Sequence, residues 1–193
     1  MVKDWQHLVT TFNGIALLTI AAAPVAVLVV CVLAFRRRTG EHPWRTSVAE
    51  VGIVYGTVPV VWMTMLPGSH AGEVPGRFSL IPLRDLLTMS APGIVGNLLV
   101  FAALGFFVPL RFSALASIPR VLALAAGCSV LVEVAQYVLR LDRVSSVDDV
   151  LLNTAGAGLA ALASWRWWRS LRGPGTFRRH IENRIQADNT TSP

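Results

Sequence analysis

Charged side chains are scarce in this sequence. Asp, Glu, Lys and Arg make up 15% of the 193 residues, compared with about 25% in an average soluble domain. Hydrophobic residues make up 53%, and they gather in runs that approach the length of a transmembrane helix, about 20 residues. The shortage of charge excludes an ordinary soluble domain. It predicts an all-α, polytopic integral membrane protein, a bundle of about five transmembrane helices.

Cysteine and histidine are also few, and their spacing does not suit metal binding. Cys31 and Cys128 have neither a CxxC motif nor a Cys/His spacing, which excludes a disulfide framework and a zinc site. The four histidines are scattered through predicted loops and tails. We therefore expect no metal and no cofactor, and we assign no catalytic residue.

Acidic residues number 11 against 17 basic ones, which gives a formal net charge of +6 and a pI of about 10.6. In a soluble chain this balance would suggest a nucleic-acid partner. Here the arginines flank apolar segments instead, as they do where basic loops stay on the inner side of a membrane. We therefore predict membrane lipid as a partner and no nucleic acid.

Five apolar segments are long enough, or nearly long enough, to span a bilayer. We predict spans at 14–35, 48–66, 94–110, 121–139 and 150–168. The chain then divides into two N-terminal helices (1–66), an outer loop with an interfacial or re-entrant segment (67–93), a three-helix core (94–172) and a basic cytoplasmic tail (173–193). We expect that tail to be disordered because it is polar and basic.

The distribution of Lys and Arg predicts the orientation. The first apolar run lacks the basic segment that precedes a secretory signal core, and three arginines follow it instead. We therefore predict an uncleaved first helix, with the N-terminus outside and the C-terminus inside. The inner segments then hold twelve of the 17 basic residues: Arg36, Arg37, Arg38, Arg45, Arg111, Arg120, Arg166, Arg169, Arg172, Arg178, Arg179 and Arg184. The outer segments hold Lys3, Arg77, Arg84, Arg140 and Arg143.

Polar side chains interrupt the apolar segments near this outer side. An ionisable group at membrane depth costs at least about 2.5–3.5 kcal/mol on insertion scales, so it persists where it faces a partner or a cavity. The fourth predicted span ends, and the third and fifth begin, on the outer side. We therefore predict one outward-facing pocket. Its candidate ligand-binding residues are Arg84, Asn97, Glu133, Gln136, Arg140, Arg143, Asp148, Asp149 and Asn153.

Structural roles for these residues remain open. Arg140 follows Glu133 by seven positions on the same helix face, so the two side chains are candidates for an ion pair. Asp148 and Asp149 suit the N-terminus of the fifth helix, where acidic side chains favour the helix dipole. Glu50 lies at the inner end of the second span, where we expect it to pair with the arginine-rich loop.

Three motifs follow one another between residues 79 and 162. The first is Ser-Leu-Ile-Pro-Leu-Arg at 79–84, and the second is Gly-Asn-Leu-Leu-Val-Phe at 96–101. The third joins Glu-Val-Ala-Gln at 133–136, an arginine at 143, Asp-Asp at 148–149 and Asn-Thr-Ala-Gly at 153–156. In this order they resemble the VanZ-like family, named for a protein associated with teicoplanin resistance. Ser79 and Leu83 depart from the family's Asn-Leu-Ile-Pro-Phe-Arg motif, and Arg143 matches its loop arginine more readily than Arg140.

The resemblance implies a multi-pass protein of the bacterial plasma membrane, part of the cell envelope and linked to glycopeptide (teicoplanin) susceptibility. Two functions remain open. A non-enzymatic protein would bind a lipid headgroup or a lipid-linked cell-wall intermediate, with arginines 84, 140 and 143 holding a phosphate. A membrane-embedded hydrolase or transferase would use Glu133 or Asp149 as a general base or metal ligand. The absence of GxSxG and HExxH motifs favours the non-enzymatic reading.

Overall fold

The computed structural model describes residues 10–169, and almost all of its regular structure is helical. The predicted basic tail at 173–193 lies outside the described residues. The helices are α1 (Phe12–Arg36), α2 (Pro43–Thr64), α3 (Ala91–Val100), α4 (Ala102–Arg111), α5 (Ile118–Val138), α6 (Val147–Ala163) and α7 (Trp165–Arg169). Two three-residue strands, β1 (Arg77–Ser79) and β2 (Val144–Ser146), complete the fold together with a 3-10 turn at Ser113–Leu115.

Four helical segments are long and apolar enough to cross a membrane. They are α1, α2, the stretch Ala91–Arg111 that contains α3 and α4, and α5. These segments match the first four predicted spans and support a multi-pass membrane protein. The fifth predicted span, 150–168, is divided in the structure between α6, of 17 residues, and the short α7. The division falls at Ser164, whose backbone N–H and side chain both bond back to α6 carbonyls.

Helix α6 is the central element of the bundle and packs against α3, α4 and α5. Its buried face is made of small residues, including Gly156, Ala157 and Ala161. A Cβ atom added to Gly156 would overlap the backbone carbonyl of Leu98 in α3, and one added to Gly105 in α4 would overlap the backbone of Ala157. The absence of these side chains lets the helix backbones touch, which is how membrane helices gain packing energy.

Glu50 joins three helices at the opposite end of the bundle from β1 and β2. Its carboxylate accepts a hydrogen bond from Arg37, just after α1, at 2.6 Å and another from Arg111, at the end of α4, at 2.6 Å. The predicted ion pairing of Glu50 is thus confirmed. One of the two partners belongs to the arginine cluster after α1, and the other comes from a helix distant in sequence.

The segment between α2 and α3 is attached to the connection between α5 and α6. β1 and β2 form a parallel pair in the register Arg77↔Val144, Phe78↔Ser145 and Ser79↔Ser146. Nearby, the N–H groups of Gly68 and Gly72 donate to the carbonyls of Leu141 and Arg140, each at 2.9 Å. The sequence predicts no strand here. The pairing fixes the segment between α2 and α3 over the ends of the helices that carry the candidate site.

Candidate functional site

A polar cavity of about 170 Å³ lies where α5 ends and α6 begins. Six of the nine candidate residues line it: Asn97, Glu133, Gln136, Arg143, Asp149 and Asn153. Thr64, Val132 and Val144 complete the lining. Asn97 and Asn153, which lie on different helices, are therefore brought to the same cavity, as the predicted pocket requires. Arg84, Arg140 and Asp148 do not line this cavity.

The amide nitrogens around the cavity are bonded to the protein itself. Asn97 Nδ2 donates to Asp149 Oδ1, and Gln136 Nε2 donates to the backbone carbonyl of Thr64 at 2.9 Å. Asn153 Nδ2 donates to a serine hydroxyl of α5, Ser129, at 2.8 Å. The bonds orient each amide so that its nitrogen faces the protein. Each amide nitrogen carries two N–H groups, and the bonds of Gln136 and Asn153 use one of the two.

Asn153 carries a buried acceptor without a partner. The residue is only 3% exposed, and its Oδ1 has no hydrogen-bond partner within the described part of the chain. Burying an amide oxygen without a hydrogen bond costs roughly 1–3 kcal/mol. Because Asn153 lines the cavity, a ligand that supplies an N–H or O–H donor there would recover this cost.

Glu133 is held by the strand that precedes α6. Its Oε2 accepts the backbone N–H of Ser146 at 3.1 Å, and its backbone carbonyl accepts the hydroxyl of Ser145 at 2.9 Å. The residue is buried, with 8% of its surface exposed. These bonds fix a carboxylate at the cavity wall, next to Asp149 on the facing helix.

Among residues 10–169, Arg143 is the one cationic side chain that lines the cavity. Its Nε donates to the backbone carbonyl of Leu66 at 3.2 Å. Within residues 10–169 it forms no ion pair of 4.0 Å or less with either carboxylate. Among the described residues, the one bond of this guanidinium goes to Leu66, and neither carboxylate accepts a hydrogen bond from it.

The expected position of Asp148 in the pocket is corrected by the structure. Its carboxylate is 1% exposed and accepts three backbone N–H groups, from Leu83 at 2.6 Å, Asp85 at 2.9 Å and Leu86 at 3.0 Å. Consecutive helix residues point about 100° apart, so Asp149 faces the cavity while Asp148 faces the loop. Asp148 therefore anchors the 83–86 loop, where Leu83 has a positive φ of 66°.

Arg140 and Arg84 are also displaced from the predicted site. α5 ends at Val138, and Arg140 follows in a turn with a φ of 51° and an exposed side chain. The helix face that carries Glu133 therefore ends before Arg140. Among the described residues, Glu133 and Arg140 form no ion pair. Arg84 is exposed in the anchored loop. Both arginines lie outside the cavity wall.

Ser146 is a site residue that sequence reasoning missed. Besides donating its N–H to Glu133, it donates its hydroxyl to Asp85 at 2.7 Å and caps α6 by accepting the N–H of Asp148 at 3.2 Å. The bonds to Asp85 from Ser146 and Ser79 lower the pKa of that carboxyl, with a smaller contribution from Arg84. A serine directly before a helix with two leading acidic residues is a recognisable N-cap signal.

Two apolar grooves adjoin the polar cavity. One, of about 270 Å³, is lined mainly by Phe78, Leu80, Val134 and Tyr137 and shares Glu133 with the cavity. The other, of about 410 Å³, shares three residues with it: Thr64, Asn97 and Arg143. Its remaining lining is Phe12, Val60, Met63, Gly93, Gly96 and Leu99. A polar compartment thus opens beside apolar ones, an arrangement that suits an amphiphile.

Comparisons with known proteins agree with the motifs. A family model described as VanZ/LLP1 matches residues 21–169, which includes every residue that lines the polar cavity. Comparisons with curated proteins and with solved structures return no match. The family match covers most of the chain and agrees with the order of the three motifs. This protein therefore belongs to the VanZ-like family.

Proposed function

We propose that this protein resides in the bacterial plasma membrane and binds a lipid headgroup or a lipid-linked cell-wall intermediate in an outward-facing polar cavity. The convergence of six polar side chains around one cavity carries the proposal. These side chains come from α3, α5, α6 and the α5–α6 connection, in a bundle whose long helices are mostly apolar. Retaining them in a membrane is costly, and binding a polar ligand offsets that cost.

In this proposal the bundle has five spans, with the N-terminus outside and the C-terminus inside. α6 serves as the fifth span, because its 17 residues extend over about 26 Å at 1.5 Å per residue, close to the roughly 30 Å of a hydrocarbon core. The arginine and lysine distribution supports the orientation, as does the Glu50 cluster with two arginines at the end assigned to the inside.

Reporter fusions test this topology. We expect fusions after Arg38, Gly72 and Gly173 to report inside, outside and inside, because basic loops remain on the cytoplasmic side. Alkaline phosphatase, active outside, and green fluorescent protein, fluorescent inside, give complementary readouts at each position. The opposite pattern at two of the three positions would refute both the orientation and an outward-facing cavity.

A membrane-embedded hydrolase or transferase is the second candidate, because Glu133 and Asp149 line the same cavity. Two carboxylates of this kind are able to divide the roles of general acid and general base. Release of phosphate or alcohol from a lipid-linked substrate by the purified protein, lost in Glu133→Gln, would favour this function over simple binding.

The binding proposal predicts an effect on antibiotic susceptibility. Raised expression is expected to change susceptibility to teicoplanin more than to an antibiotic with a cytoplasmic target, because an outward cavity reaches lipid-linked material at the outer surface. Glu133→Gln and Asp149→Asn keep side-chain size while removing charge, so each is expected to abolish the change. Minimum inhibitory concentrations, measured at matched membrane abundance, provide the readout.

Glu73→Gln is the matched control, since it removes an equivalent charge from an exposed position outside the cavity. It is expected to retain the full wild-type phenotype. If Glu133→Gln and Asp149→Asn accumulate normally and also retain that phenotype, the two carboxylates are structural and the binding proposal is wrong.

A further inference from the structure

We infer that the cavity recognises a headgroup with a primary ammonium next to a phosphate ester, as in phosphoethanolamine, and that the attached lipid chain lies in the groove beside Arg143. This inference rests on the proposed function and names its ligand class. It selects an amine-bearing phospholipid over a lipid-linked cell-wall intermediate.

The chemistry of the cavity wall favours a cationic ligand. Glu133 and Asp149 place two carboxyl groups there, and in the ionised form, which a bound ammonium favours, they only accept hydrogen bonds. Each lining amide donates at least one of its N–H groups to the protein itself. A ligand therefore meets the carboxyl groups of Glu133 and Asp149, and a primary ammonium, with three donors and a positive charge, complements them.

A buried amide oxygen distinguishes a primary ammonium from a trimethylated one, independently of the carboxylates. Asn153 Oδ1 is buried at the cavity wall and lacks a partner among the described residues. An unpaired carbonyl oxygen requires a donor, which a trimethylated ammonium does not have. The atom therefore favours a primary amine over a choline group, even though the two carry the same charge.

Arg143 and the two carboxyl groups together determine the orientation of the headgroup in the cavity. Arg143 is the cationic member of the lining, and it also lines the 410 Å³ groove. Its guanidinium suits a phosphate, because its planar donors match the phosphate oxygens. An ammonium near Glu133 and Asp149 with a phosphate at Arg143 places the two charges of the headgroup against opposite charges of the protein.

The small volume of the polar cavity and its contact with the apolar groove agree with this orientation of the headgroup. The polar cavity, at about 170 Å³, is smaller than the roughly 300 Å³ at the lower end of sites for drug-sized ligands, so it suits a small headgroup. Beyond Arg143, the groove continues along Val60, Met63 and Leu99. A chain leaving the phosphate enters this apolar surface directly, since the groove and the cavity share the arginine.

Lipid selectivity of the purified full-length protein tests the inference. Dihexanoyl phosphatidylethanolamine, phosphatidylcholine and phosphatidylglycerol, titrated separately and followed by native mass spectrometry, have equal chains and differ in the headgroup. We expect the ethanolamine lipid to bind about tenfold tighter than either of the others, as one charge-assisted hydrogen-bonded contact allows. Free phosphoethanolamine is expected to bind more weakly than its lipid.

Variants of the lining residues test the ammonium contact and the phosphate contact separately. Glu133→Gln and Asp149→Asn are expected to remove most of the preference for ethanolamine over choline. Arg143→Gln is expected to weaken all three lipids while keeping that preference, because each carries the phosphate. Glu73→Gln, at an exposed position, is expected to match the wild type. Thermal unfolding of each variant identifies those that fail to fold, and the wild-type comparison does not depend on them.

The outcomes distinguish this inference from the proposed function. Equal binding of the ethanolamine and choline lipids overturns the ammonium site, although it supports lipid binding. Binding of a lipid-linked cell-wall precursor without binding of any phospholipid also overturns the inference and leaves the proposed function intact. If neither class binds, both proposals are wrong. Free phosphoethanolamine binding as tightly as its lipid overturns the assignment of the chain to the groove.

Discussion

Replacing Asp148 by alanine is expected to lower the free energy of unfolding by at least about 3 kcal/mol. The carboxylate is 1% exposed and accepts three backbone N–H groups from residues 83–86. A hydrogen bond to a charged group contributes roughly 1.5–3 kcal/mol, and donors left unpaired after its loss add a further cost. Unfolding of the detergent-purified protein, by heat or by sodium dodecyl sulfate, measures the change.

Two further variants make this test specific. Asp148→Asn keeps an oxygen acceptor of similar size, so it is expected to lose less stability than Asp148→Ala. Glu73→Ala removes an exposed carboxylate and is expected to change stability by no more than about 0.5 kcal/mol. If Asp148→Ala behaves like Glu73→Ala, the 83–86 loop is not held by this carboxylate.

Gly156→Ala is expected to lower the free energy of unfolding by about 3 kcal/mol and to weaken ligand binding. Its new Cβ would overlap the backbone carbonyl of Leu98, and a backbone cannot rotate away as a flexible side chain does. Overpacking of this kind costs about 1–3 kcal/mol, and the backbone contact places this case at the upper end. Separating α3 from α6 would also draw Asn97 away from Asp149.

Gly127→Ala is the matched control, because a Cβ at this α5 position meets nothing within 4 Å. Alanine is favoured over glycine inside a helix by roughly 1 kcal/mol, so this variant is expected to keep or gain stability. The same unfolding assay and the lipid titration measure both variants. Equal stability of the two would show that α3 and α6 do not require the close approach at Gly156.

Hydropathy was sufficient to find most of the helices, because a membrane span needs a long apolar run. It located their ends less well: the predicted second span begins at 48, whereas α2 begins at Pro43. The first turn of a helix tolerates proline and polar residues, so a helix begins before its apolar run does. The same effect moves the start of α6 to Val147, and its N-cap is Ser146.

The pocket was largely predictable from depth and helix periodicity, which brought Asn97, Glu133 and Asn153 to one level of the bundle. The residues that were misplaced lie at helix ends, Arg140 and Asp148, or in the loop that Asp148 anchors, Arg84. Arg140 was expected to continue the face of α5, but a residue with positive φ leaves the helical path. Asp148 was expected in the pocket beside Asp149. Its carboxylate instead binds the N–H of Leu83, 65 residues away, and no periodic pattern in the sequence predicts a contact over that distance.

The anchoring of the 83–86 loop by Asp148 also sets an order for assembly. The chain is synthesised from its N-terminus, so the loop is made before the carboxylate that holds it, and β1 is made before β2. Asn97 likewise precedes Asp149 by 52 residues. A nascent chain that ends before Val147 has neither the loop anchor nor the second carboxylate. Under the proposed function, ligand recognition therefore begins only when α6 has joined the bundle, and copies whose translation stops before Val147 would not compete for the ligand.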